Sequence, residues 1–293
     1  MLPFEDRARK ELETACPKDL ADCRELLELA LRMIGSTGQS RLQIPQTPVG
    51  VTDRAKSLAL GLYAKACKQF RGIIILAERG FGDEVTVLTR ALFEATLAMN
   101  LIMNETVALK REGKPFDPDP SRQLTTDFRA LLYWARAAFV QAKRYKQWSG
   151  DPGLSPSIHL LGVQSQIAAQ TAQAKGAVGE KWWEALNGGQ AGLSIRNLAD
   201  SLGVLSYYIC VYSDQSEVAH AGDAFMHFDL DDGSVDLAPS PASIGGLLQL
   251  AGLVFLGCLT GIHNRLNFGA QVELALDGFA KRFTVSGSWP ASS

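Results

Sequence analysis

Apolar residues recur at three- and four-residue spacing along most of the chain, and clusters of Gly, Pro and Asn cut that pattern into helix-length pieces. The first piece runs from Pro3 to Ile34 with a break at Pro17, a residue suited to a helix's first turn. Gly35 to Gly50 is a breaker-rich linker. Thr52 then has the character of an N-cap, with Asp53 in the first turn of a helix reaching about Arg79. Gly80, Phe81 and Gly82 turn tightly into Val85–Ile102, and so short a connection implies antiparallel neighbours. Beyond the break at residues 114–120, Ser121 is placed to cap a helix to about Trp148, with Phe128, Leu131, Leu132, Trp134, Ala135 and Phe139 as its buried stripe. Further helices are expected over 157–175, 180–186, from Ser194 to about His220 with a kink at Gly203, and over 243–265 and 267–283. Between Phe225 and Leu237, apolar and polar residues alternate around Asp-Asp-Gly, which predicts one small β-hairpin.

These elements predict an all-α protein: an up-down helical bundle over 51–285, an N-terminal helical extension and linker over 1–50, that one hairpin, and a short tail over 286–293. Two stretches say more. Ser243–Ile262 is apolar all round, with only Gln249 strongly polar and with Gly257 and Gly261 at GxxxG spacing, so a membrane span and a central bundle helix both fit. Nothing else in the chain resembles a second span, and length and composition favour the core helix. In Val85–Ile102, Arg90 and Glu94 share a helix face with Phe93, Leu97 and Leu101. The charge pair is therefore expected to be buried or to line a cavity, a costly position that marks a candidate site.

Charge narrows the partners. Lys+Arg 29 against Asp+Glu 31 gives −2 with no long run of either sign, so the whole chain has no electrostatic footprint for duplex DNA or an anionic membrane. Arg136, Lys143, Arg144 and Lys146 form one local basic cluster on a predicted helix, a pattern more often a solvated face. Five scattered cysteines form no CxxC and read as reduced thiols, and the charged N-terminus has no apolar signal core; both point to a cytoplasmic protein.

Tyr208, Tyr212, Ser213, Ser216, Glu217 and His220 fall on one broad face of the helix beginning at Ser194, and that face is expected to meet Arg90 and Glu94. His220 has the side chain best suited to proton transfer near neutrality, although a histidine at a helix end also complements the helix dipole. Glu217-Val-Ala-His220 matches the Glu-x-x-His of di-iron bundles, but no second copy exists. His159, His227 and His263 show no ligand spacing, and HExxH, G-x-G-x-x-G, Walker A and G-x-S-x-G are absent. No metal and no cofactor are expected. Asp229, Asp231, Asp232 and Asp236 read as turn chemistry of the hairpin.

The segment ERGFGDEVTVLTRALFEATLAMNLI, followed by LSIRNLADSLGVLSYYICVYSDQSEVAH, resembles an uncharacterised bacterial family, the domain of unknown function numbered five-six-seven-seven. The resemblance implies a helical bundle with an Arg-x-x-x-Glu helix early and a Tyr…Ser-x-x-x-His helix late. Arg90, Glu94, Tyr208, Tyr212, Ser216 and His220 sit at those positions. The architecture is also loosely similar to HEPN bundles, whose ribonuclease members place an Arg shortly before a His. This chain departs from that pattern: Ser213, Asp214, Gln215 and Ser216 stand where the Arg would be. Two function classes follow. One is an enzyme or a toxin-like defence effector acting on RNA, with His220 as general acid/base, Arg90 stabilising phosphate charge and Glu94 orienting Arg90. The other is a non-catalytic bundle whose Arg90, Glu94 and His220 form a polar network, serving a protein partner or a second copy of the chain.

Overall fold

The computed structural model describes residues 9–12, 14–35, 54–149, 158–187, 194–213, 228–229, 234–235 and 244–283. Helices α1 (Pro17–Met33), α2 (Arg54–Ala77) and α3 (Gly82–Met103) come first. A short hairpin β1 (Lys110–Arg111) and β2 (Lys114–Pro115) leads into α4 (Thr126–Ser149), α5 (Ile158–Val178) and α6 (Glu180–Asn187). Then follow α7 (Ile195–Ser201), α8 (Leu205–Tyr208), a π-helical turn at Ile209–Ser213, β3 (Phe228–Asp229), β4 (Ser234–Val235), α9 (Ile244–Leu266) and α10 (Ala270–Arg282). The protein is all-α in its architecture. β3 and β4 pair antiparallel within the predicted hairpin segment; the β1–β2 pair is additional. Helix α1 begins with Pro17 at its first turn, as its fixed φ favours.

Two expectations are corrected. The helix from Ser194 is not continuous: Gly203 adopts φ +72°, a left-handed conformation that ends α7, and the chain restarts as α8 and then widens into the π turn. Ser194 does cap α7, accepting from the Asn197 amide. Ser121 does not cap α4. Its hydroxyl donates to Asp119, while the Thr125 hydroxyl accepts from the Phe128 amide at the helix start. Thr52 and Asp53 lie outside the described residues, as does the tail.

Helix α9 is the centre of the core. It packs against α3, α2, α1 and α10, and Val254, Phe255, Cys258, Leu259 and Ile262 are fully buried. Phe255 stacks on Phe70 of α2 with ring centroids 4.2 Å apart. The Tyr63 hydroxyl donates to the Ala30 carbonyl at 2.7 Å and ties α2 to α1. The tightest approach is to α3. There Thr96 donates to the Val254 carbonyl (3.4 Å), and the Asn100 carboxamide donates to its own helix at Thr96 (3.0 Å) and across to Gly257 (3.2 Å). A Cβ on Gly261 would overlap Asn100, so the glycine spacing serves this contact.

Both α3 and α9 are long and apolar enough to cross a membrane, so a second helix passes the test that one was expected to pass alone. Their apolar windows are 67% and 61% buried inside the fold, chiefly against each other and α2, which is how core helices behave.

Gly261→Ala is expected to lose about 1–3 kcal/mol of stability through overpacking on Asn100. Gly246, on the same helix with open space around it, gives the opposite sign: Gly246→Ala gains about 0.5–1 kcal/mol. Thermal melting of the two variants checks the pair. Equal shifts would show that the α3–α9 approach is not tight.

Candidate functional site

The sequence brings Arg90 and Glu94 to the middle of α3, with Arg90 one turn beyond the exposed Val87. Their ion pair is long, 3.9 Å from Arg90 Nε to Glu94 Oε1, and the side chains keep 18% and 41% of their exposure. The expectation of burial is therefore corrected. Leu97 and Leu101 do share the stripe and are buried, but burial depends on what packs at each height along the helix. Near Leu101 the stripe is covered by α4, whose Arg129 reaches the Leu101 carbonyl. At Arg90 it meets the π turn instead.

That meeting builds the site. The Arg90 guanidinium lies over the Tyr212 ring, 3.8 Å from its centroid, and Tyr212 stacks on Tyr208 at 5.1 Å and 17°. The result is a three-layer stack of one cation and two aromatic rings joining α3 to α8 and the turn. Such a contact contributes about 0.5–1 kcal/mol at an exposed position. It also restrains the guanidinium, whose side chain keeps 18% of its exposure. Val211 is buried beneath, while Ile209 is 52% exposed beside the stack. On the other side stands Tyr133 of α4: burial pushes its phenol up, Arg136 opposes that, and the Glu94 charge adds to it. Tyr133 thus lies within reach of the Glu94 charge, a relation its spacing in the sequence does not reveal.

Of the other expected members, Ser213 closes the π turn, and Ser216, Glu217 and His220 lie outside the described residues. The π turn breaks the 100° progression that placed all six on one face.

The buried charge that sequence reading missed is Arg129, 3% exposed in a core position of α4. Its guanidinium donates to four main-chain carbonyls: Leu124 (3.0 Å), Leu101 (3.3 Å), Glu105 (3.2 Å) and Val107 (2.5 Å). It satisfies the C-terminal end of α3 and the chain that follows, where a cation also suits the helix dipole. Burial lowers its pKa, and Glu105 opposes that. The one signal was a charged residue within an apolar stripe, the signal that drew attention to Arg90.

Among the described residues no three His, Cys, Asp or Glu side chains gather to hold a metal ion. An apolar-lined cavity of about 530 Å³ opens away from the stack between α2, α4 and α5, with Leu58, Leu131 and Trp134 on its wall. Arg54 at its edge is paired with Asp127 at 3.6 Å.

The fold and this site define a helical bundle that displays a cation–aromatic stack on one flank of a core helix. The chain belongs to the Family of unknown function (DUF5677), whose model matches residues 56–235. No curated protein and no solved structure matches it. The matched segment carries α2 through β4, with Arg90, Tyr208 and Tyr212, but not α1, α9 or α10.

Two outcomes follow. Arg129→Met strands several buried carbonyls and should cost about 3 kcal/mol, whereas Arg90→Ala should cost about 1 kcal/mol and Glu94→Ala less than about 0.5 kcal/mol. Chemical denaturation of the three variants ranks them, and a larger loss at Glu94 than at Arg129 would contradict the geometry. A fragment of residues 56–235 loses α9 from its core. It should therefore show no cooperative thermal transition by circular dichroism, and a sharp transition would refute that role for α9.

Proposed function

We propose that this protein is a partner-binding module whose recognition surface is the Arg90–Tyr212–Tyr208 stack with Glu94, Val87 and Ile209 around it. The observation that carries the reading is the stack itself: a largely covered arginine lying over Tyr212, which in turn stacks on Tyr208, with large apolar side chains exposed on the same two elements. Tyr and Arg in a rigid, partly desolvated setting are the residue types that dominate protein-recognition hot spots. A polar network confined to the interior would not leave Glu94 two-fifths exposed. Five unpaired cysteines support a cytoplasmic setting.

Cys210 supplies a readout. It is exposed beside the stack, whereas Cys16, Cys23, Cys67 and Cys258 are buried and burial pushes the Cys67 thiol up to about 12. Alkylation near neutral pH therefore falls on Cys210. A partner taken up by this surface should be retained by the wild type and lost from Tyr212→Ala, whose melting temperature falls by only about 2–4 °C, and from Ile209→Asp at unchanged melting temperature. The same purified partner should slow Cys210 alkylation. Retention by both variants, or unchanged alkylation, would overturn the reading.

A second reading is supported by the residual exposure of Arg90, whose guanidinium can donate to phosphate oxygens. In it the protein is an RNA-cleaving, toxin-like or defence effector of the HEPN-like kind, with His220 as general acid/base and Arg90 stabilising the developing charge. RNA degradation by the purified protein that disappears in His220→Ala would replace the first reading with this one.

A further inference from the structure

The local basic cluster gains a shape once α4 is built. The last buried residue of α4 is Ala138, yet the helix continues to Ser149, about 16 Å farther at 1.5 Å per residue. The helix as a whole packs mainly beside α5. Lys143, Arg144, Lys146 and Trp148 are exposed and Arg136 is half-buried. Acidic residues are nearly missing here: residues 128–179 hold six Lys and Arg against Asp151 alone, in a chain whose net charge is −2. None of the acids of α1, α3 or α10 forms an ion pair with these four cations among the described residues.

An ordinary solvated helix face intersperses both signs, because like charges a turn apart destabilise it. A projecting helix of one sign creates a local positive field that gathers anions. Trp148 is 51% exposed and is the one large apolar side chain left open on α4. Arg144 lies one turn before Trp148 on the same helix face, and a ring beside a cation suits a nucleobase, which stacks on it while phosphates meet the charges. A bilayer would ask for a broader apolar face than one indole. Duplex DNA keeps its bases stacked inside, so the ring would have nothing to cover.

We propose that the projecting half of α4 binds single-stranded nucleic acid, with Lys143, Arg144 and Lys146 on the phosphates and Trp148 on a base. This surface stands on the α4 geometry alone and not on the function assigned to the Arg90 stack.

The test is fluorescence anisotropy of a labelled oligouridine of about 16 nucleotides with the full chain, as KCl rises from about 50 to about 200 mM. Three phosphate contacts predict a log–log salt slope of about −2, falling to near zero in Lys143→Gln/Arg144→Gln/Lys146→Gln. Trp148→Ala should weaken binding at least about fivefold and leave the slope unchanged. Circular dichroism melting confirms that the variants remain folded, and Lys143→Gln alone should remove about 0.7 of the slope. No binding at the lowest salt would overturn the proposal, as would a triple variant with wild-type affinity and slope. Binding to phosphatidylserine vesicles without binding to the oligonucleotide would also overturn it and assign the arm to a membrane surface.

Discussion

The contact between α3 and α9 constrains everything else. Asn100 lies in the seam between two apolar helices, where an unmet carboxamide costs about 1–3 kcal/mol. It is met by carbonyls on both sides, Thr96 on its own helix and Gly257 opposite, and that is achieved only if the helices approach closely. Gly261 permits the approach because any side chain there would collide with Asn100. The hydrophobic contribution of Val254, Cys258 and Ile262 then follows from area removed from water, but the register in which those residues meet α3 is set by the hydrogen bonds.

With one face of α3 committed to α9, its other flank divides along the axis. The C-terminal part is closed by Arg129, which replaces water for carbonyls that the end of the helix leaves unpaired. The N-terminal part has no such cover, and there Arg90 rests on Tyr212. Two arginines within apolar patterns thus do opposite work. One is enclosed by main-chain acceptors and fixes the fold; the other lies over a ring and keeps a small exposed fraction at the flank of the helix. Magnitude separates them: four hydrogen bonds to a buried cation outweigh a 3.9 Å ion pair that water already screens.

Much of the fold was legible because long amphipathic helices carry their signal in every turn. α2, α3, α4 and α9 follow from the spacing of Leu, Ile, Phe and Ala, and the hairpin from Asp-Asp-Gly between alternating residues. The site was legible in part. Arg90, Glu94, Tyr208 and Tyr212 do come together, since each is fixed by its own helix and by one shared packing contact. What failed was the assumption that an angular position implies burial, and that the helix period runs unbroken beyond Tyr208, where the π turn interrupts it. Arg129, Tyr133 and Thr125 were hidden because their roles depend on partners distant in sequence or on where a helix begins. The short β1–β2 pair carries no alternation to read; its place beside α7 comes from the Lys110 and Glu112 amides donating to Ser201 and Asn197.

The central claim is that α3 and α9 form one cooperative unit around Asn100, on which the outward-facing stack is mounted. Hydrogen exchange resolved along the chain tests it directly. The amides of Leu97–Ile102 and of Val254–Ile262 should be the slowest to exchange and should share one opening free energy equal to global unfolding, while Tyr208–Tyr212 exchange through smaller openings. Exchange of α9 at a markedly lower free energy than α3 would contradict the account, because α3 would then hold its place without the helix said to position it.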